Sequence, residues 1–216
     1  MKRETGKKRR RDTNRMVEEE FLNIEEINKK RLEDMAENAI KNFIIDKNFK
    51  YKTAKQKTLV KAIHDNEIVI VHGSAGTGKT YCALKAALEV LKLEGNSINR
   101  LLLTKPIVEA GESIGFLPGG IEEKTDPYMG SFVSNVELLI GKPATKSLIS
   151  QGIIKWNPLP YLRGDTFRNS VAILDEAQNT TITAMKLFIS RKSEESKLII
   201  LGDVDQSDLD LRGKDN

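Results

Sequence analysis

Residues 73–80 read GSAGTGKT, and no other stretch restricts the fold as strongly. Glycines at 73, 76 and 78 let successive backbone N–H groups converge on one point without Cβ atoms in the way. The stretch matches G-x-x-x-x-G-K-[ST], a pattern with meaning only between an incoming strand and an outgoing helix. Both neighbours are predicted: IVIVH at 68–72 is a short β-branched apolar run, and helical periodicity covers 79–94. In that setting the loop is a phosphate cradle rather than a glycine-rich turn. Lys79 would reach the outer phosphates, the Thr80 hydroxyl would ligate Mg²⁺, and the helix start would add its positive end.

Three further runs, LLL at 101–103, VAIL at 171–174 and LIIL at 198–201, are too short for helices and read as buried strands. A helical pattern at 54–65 leads into the first run, and others at 79–94 and 181–192 lie between the runs. Such alternation predicts an α/β fold with a parallel sheet sandwiched by helices. Val17, Phe21, Ile24, Leu32, Met35, Ala39 and Phe43 mark one or two amphipathic helices over 17–45, and DKNFKYKT at 46–53 reads as a linker. All six prolines and eight glycines fall between 105 and 168, which reads as loop-rich surface.

The cradle gives meaning to ILDEAQN at 173–179. A strand ending in an acid next to such a loop holds Mg²⁺, which assigns Asp175 to the metal. Glu176, one step on, is placed to orient or deprotonate an attacking water, a group that hydrolases need and small-molecule kinases do not. GDVDQ at 202–206 follows the last strand, and Gln206 and Asp203 are candidates to sense a γ-phosphate, or else form a turn with an Asp-capped helix start. Gln56, 17 residues before Gly73, would read an adenine edge, or else lie solvated on its helix. No N-K-x-D guanine reader is present.

The formal charge of +4 is unevenly spread. Residues 1–15 contribute +6, leaving −2 for the other 201. That arm is either a flexible contact with nucleic acid or a solvated tail. Cys82 as the single cysteine excludes an internal disulfide, and no apolar run is long enough to span a membrane, which together predict a cytoplasmic protein without a membrane partner. Neither His64 nor His72 has companions at zinc spacing, and His72 is expected to pack beside the cradle. Trp156, Tyr161 and Phe167, near Arg163 and Arg168, would either stack bases or pack loops.

GSAGTGKTY (73–81), LLLTKPIVEAGESIGFLPGGIEEKTDPY (101–128), PLPYLRGDTF (158–167), AILDEAQNTT (172–181) and LGDVDQSDL (201–209) together resemble the PhoH-like family of P-loop ATPases. The resemblance runs from about Thr53 to Leu211, and VEAGE-x-x-GFLPG is its most particular segment. It implies a RecA-like sheet related to superfamily 1 helicase motors, with the strand ending at Gly202–Asp203 between the cradle strand and the Asp175 strand. It implies ATP and Mg²⁺ as cofactors, an ATPase linked to single-stranded RNA or other nucleic acid, and homo-oligomers such as hexameric rings. On matching positions the nucleotide site would comprise Gly73, Ser74, Ala75, Gly76, Thr77, Gly78, Lys79, Thr80, Tyr81 and Gln56. Glu176, Lys79, Gln206 and Asp203 would carry catalysis, Thr80 and Asp175 the metal. Arg163 or Arg191 would serve as a finger toward a neighbouring subunit, or else lie on the surface. Charge, periodicity and the extent of the resemblance divide the chain into a basic arm (1–15), a helical extension and linker (16–50) and an ATPase domain (51–216). A further strand with an arginine that family members carry after GDVDQ is expected to be absent, and KSEES after Arg191 departs from the family's glycine turn. The alternative is an ATP-driven switch or scaffold acting on a protein partner; a small-molecule kinase ranks third.

Overall fold

In a computed structural model, residues 24–106, 121–159, 162 and 166–206 are described, with the side chains of 121–128 excepted. Helix α1 occupies residues 24–42. Then follow α2 (Ala54–Asp65), β1 (Ile68–His72), α3 (Lys79–Leu91), β2 (Arg100–Thr104), α4 (Ile121–Ile140), α5 (Lys142–Ser150), β3 (Ile154–Trp156), β4 (Ser170–Leu174), α6 (Ile182–Ile189) and β5 (Ser196–Gly202). The five strands form one parallel sheet in the order β1-β5-β4-β2-β3. β5 therefore lies between the cradle strand and the Asp175 strand, as the resemblance implied.

Period-2 alternation sorts the strand side chains onto two faces. Val171, Ile173, Ile199 and Leu201 join α2, α3, α4 and α5 in the larger core. Ala172, Leu174, Leu198 and Ile200 join Phe167 and Phe188 in a smaller one on the opposite face. With both faces covered, all five residues of β4 are buried, which explains why the run is apolar without alternation.

Two expectations need correction. IVIVH reads as a fully buried strand, yet among the described residues β1 has one hydrogen-bonded neighbour, and Ile68 and Ile70 are 43% and 73% exposed. Only Val69 and Val71 pack toward the core. Apolar composition reported the strand but not its edge position. The stretch 105–168, read as loop-rich, holds two helices and a strand. Pro143 sits in the first turn of α5, where its missing N–H costs no hydrogen bond. Met129, Phe132, Val136 and Leu139 recur at three- and four-residue steps on α4 and are buried. Proline and glycine there punctuate helices rather than abolish them.

Helix ends fall inside the expected ranges. Thr181 caps α6 by accepting the Ala184 N–H at 3.2 Å, and α3 stops at Leu91. α1 docks through its C-terminal end, where Ile40 and Phe43 are buried in the larger core. Lys92 of the turn after α3 donates to the carbonyls of Ile40, Lys41 and Phe43, and its ammonium lies 4.6 Å from the Phe43 ring. A cation on the last carbonyls of a helix is the arrangement its dipole favours. Val17, Phe21 and the basic arm lie outside the described residues.

Candidate nucleotide site

The parallel sheet brings the carboxyl ends of β1, β5 and β4 side by side, so loops distant in sequence meet there. The Gly73 N–H donates to the Gly202 carbonyl at 3.2 Å, which joins the cradle to the end of β5. The loop then turns through Gly76 and Gly78, both left-handed at φ +71° and +81°, where an L side chain would be strained. The Thr77 hydroxyl donates to the Ser74 carbonyl at 2.8 Å and closes the loop. Gly78 caps α3 without any side-chain hydrogen bond, leaving the first N–H groups of α3 to an anion. Lys79 Nζ donates to the carbonyls of Gly73 and Ser74, the latter at 3.0 Å, so its ammonium sits over the loop.

From the neighbouring strand, Asp175 Oδ2 accepts the Thr80 hydroxyl at 3.0 Å, and its Oδ1 accepts the Glu176 N–H at 3.1 Å. Lys105, just beyond β2, brings Nζ to 3.9 Å from Oδ2 and also donates to Ser131 of α4. Burial pushes the Asp175 carboxyl above the usual carboxylate range, opposed by the Lys105 charge and the Thr80 hydrogen bond; the charge of Glu176 pushes it further up. An acid raised in this way loses native-state stability as pH climbs from its unfolded to its folded pKa, and the loss is complete above it, so at neutral pH its charge weighs on the fold. Asp175→Asn keeps the size and removes that charge. It is expected to stabilise the protein in the absence of nucleotide by about 1 kcal/mol, or roughly 2–4 °C in a thermal melt, while lowering turnover.

Glu176 has φ +56°, left-handed for a residue with a Cβ, at the head of the 3₁₀ turn Ala177–Asn179. Strain of that kind is retained where the surroundings enforce it. Gln178 supplies part of the enforcement, donating from Nε2 to Glu176 Oε2 at 2.7 Å. Asp203 is 5% exposed, and its carbonyl accepts the Gln206 N–H at 3.1 Å, which folds 203–206 into a turn.

These groups line a cavity of about 280 Å³: Ala75, Gly76, Gly78, Lys79, Thr80, Tyr81, Asn135, Asp175, Glu176, Gly202, Asp203 and Gln206. A larger groove, about 360 Å³ between α1 and α5, has no charged side chain in its walls and offers phosphate nothing. Gln56 lies beside the cradle, donating to the Thr77 carbonyl at 2.9 Å and accepting the Lys52 N–H at 2.7 Å. Both ends of its amide are engaged, so reading a base would require it to release one of them.

Some expected residues lie elsewhere. Arg191 is at the opposite end of the sheet, since β5 rises over roughly 20 Å between the KSEES turn and Gly202. Its carbonyl accepts the Phe167 N–H at 2.8 Å, and its buried Nε has no hydrogen-bond partner among the described residues. Phe167 is 1% exposed and packs at a tilt against Phe188, ring centroids 5.3 Å apart, which removes it as a base platform. His72 is exposed rather than packed beside the cradle. Cys82 is buried, and burial raises its thiol pKa. Arg163 and Tyr161 lie outside the described residues. Asn135, Lys105 and Gln178 escaped sequence reasoning. Asn135 and the Lys105 contacts depend on α4, which was not foreseen, whereas Gln178 lies inside the DEAQ motif.

The donor set suits Mg²⁺. A hydroxyl and a carboxylate, both hard oxygen donors, meet at the cavity wall, and the buried acid has a charge in need of compensation. Among the described residues no group of three or more His, Cys, Asp or Glu side chains gathers.

The family model described as "PhoH-like protein" matches residues 48–216. A PhoH-like protein of Bacillus subtilis (strain 168) is 45% identical over 177 residues, covering 82% of this chain and 55% of its own length. A PhoH-like protein of Mycobacterium tuberculosis (strain H37Rv) is 44% identical over 163 residues, covering 76% and 46%. Protein PhoH of Escherichia coli (strain K12) is 37% identical over 152 residues, covering 69% and 42%. The chain spans about half the length of the curated relatives it matches. Among solved structures, the large terminase of bacteriophage HK97 is 16% identical with a TM-score of 0.37, covering 78% of this chain and 37% of its own, a likeness too distant to add to the fold described above.

Proposed function

Because the chain belongs to the PhoH-like protein family, with a P-loop NTPase-like fold, we propose that it binds ATP and hydrolyses it in a Mg²⁺-dependent reaction. One observation carries this reading: the cradle, the Thr80–Asp175 pair and Glu176 converge on a single cavity. Lys79 and the N–H groups of Gly76, Gly78 and the start of α3 would hold the β- and γ-phosphates. Thr80 and Asp175 would hold Mg²⁺, which when bound neutralises phosphate charge as the leaving oxygen departs. Glu176 would orient water for attack on the γ-phosphorus and accept its proton. The new bond is from water oxygen to phosphorus, the broken one joins phosphorus to the β–γ bridging oxygen, and ADP and inorganic phosphate leave. Gln206, in the turn after β5, would register the γ-phosphate together with Asp203. Gln56 would serve the base side.

The finer proposal is an ATPase linked to single-stranded RNA or other nucleic acid, acting as a ring with nucleotides at subunit interfaces and with Arg163 or Arg191 reaching a neighbour. The basic arm supports it: about six net charges on residues 1–15 suit a polyphosphate backbone. One finding favours the alternative, an ATP-driven switch on a protein partner: Phe167 is in the core and offers no face to a base. A cytoplasmic location rests on the lone buried cysteine; among the described residues no helix is long and apolar enough to cross a membrane.

Steady-state ATP turnover with and without single-stranded RNA separates the two. The nucleic-acid reading predicts stimulation, and deletion of residues 1–15 is expected to reduce the slope of log affinity against log salt by up to about four, from ~0.7 per neutralised phosphate. Turnover indifferent to any nucleic acid supports the switch.

A further inference from the structure

We propose that Gln178 is a positioning residue that fixes the carboxylate of Glu176 and couples it to the turn carrying Gln206. The inference rests on the proposed role of Glu176 toward water.

The side-chain amide of Gln178 joins three segments. Its Oε1 accepts the Asp203 N–H at 2.9 Å, and its Nε2 donates to Glu176 Oε2 at 2.7 Å and to the Gln206 carbonyl at 3.4 Å. The first bond determines the direction of the amide. With the oxygen held by a backbone donor, the nitrogen is turned toward the carboxylate, where a donor belongs. A hydrogen bond to an ionised group is about twice as strong as a neutral one, so this contact restricts Glu176 more than ordinary packing does. Glycine on the facing strand end leaves room for the close approach. A Cβ at Gly202 would lie 3.3 Å from Gln178 Oε1, 3.5 Å from its backbone nitrogen and 3.7 Å from Ala177 Cβ.

Two consequences follow for the cavity. Glu176 is held from both ends, by the left-handed backbone at φ +56° and by an amide donor on its carboxylate. The same amide touches both ends of the Asp203–Gln206 turn, so a shift of that turn alters the donor that Glu176 receives. Gln178 thereby links the residue that would sense a γ-phosphate to the residue that would direct water onto it, without touching substrate itself.

Q178E is the discriminating variant. Its carboxylate has the same size and still accepts the Asp203 N–H, so a role limited to that bond predicts wild-type behaviour, while the donation to the Gln206 carbonyl is lost. It cannot donate to Glu176 and places a second negative charge against it. The experiment measures kcat, the Kd of a non-hydrolysable ATP analogue and the melting temperature for wild type, Q178A, Q178E, E176Q and both double variants. The expected result is a kcat reduced at least about tenfold in Q178A and further in Q178E, analogue Kd within about twofold, and no additional loss from either change when E176Q is already present. A Q178E protein with wild-type kcat overturns the positioning role, as does a loss that adds in full to that of E176Q. If E176Q itself turns over normally, the role of Glu176 fails first and the positioning role with it.

Discussion

Replacing Lys79 by alanine is expected to lower ATP turnover by about 10²–10³-fold, the loss typical when one preorganised charge-stabilising donor is removed. The reason is its place. The cradle supplies backbone N–H groups from Gly76, Gly78 and the start of α3, but Lys79 is the charged donor lining that cavity. Its ammonium already sits over the loop, donating to the Gly73 and Ser74 carbonyls, and needs only a small swing to exchange them for phosphate oxygens. Because those interactions exist with bound nucleotide as well as with the reacting one, binding is expected to weaken along with turnover. The fold should be unaffected, since Lys79 is half-buried and outside both cores. Nucleotide titration, steady-state turnover and a thermal melt check the three parts.

Glu176→Gln is expected to behave in the opposite way: turnover falls by about 10²–10⁴-fold while ATP binding is retained. The substitution keeps size and hydrogen-bonding reach but removes the ability to accept a proton from water. It leaves Asp175, Thr80 and the cradle intact, and it relieves the like-charge contribution that Glu176 makes to the raised pKa of Asp175. The nucleotide site should therefore fill normally, and tighter ATP retention is expected. Rapid-mixing measurement of bound nucleotide beside phosphate release separates this pattern from that of Lys79→Ala. The contrast between the two variants distinguishes a residue that holds phosphate from one that acts on water.

Much of this site was legible in the sequence because its parts are local. GSAGTGKT specifies the loop between β1 and α3, and Asp175 and Glu176 follow a strand whose apolar run is unmistakable. Short apolar runs also located β1, β2, β4 and β5 within a residue or two at each end, whereas β3 went unread. The place of β5 between β1 and β4 came from the resemblance, since periodicity does not encode neighbours. What stayed hidden depends on tertiary placement. β1 reads like β4, but one lies at the edge and the other in the interior, and only the fold distinguishes Ile70 from Ile173. α4 was obscured by neighbouring glycines and prolines, and with it went Asn135 and the contacts of Lys105. Gln178 was visible as a letter in DEAQ, yet its role depends on Asp203 and Gln206, 25 and 28 residues further on.

The central claim, that this cavity hydrolyses ATP, is tested most directly by measuring inorganic phosphate released from ATP by the purified chain, with Mg²⁺ and with the metal chelated. The account predicts sustained release with Mg²⁺, none with chelator, and near-background release from Glu176→Gln under both conditions. Release from Glu176→Gln at the wild-type rate would contradict it, as would a wild-type protein that binds ATP and Mg²⁺ yet frees no phosphate.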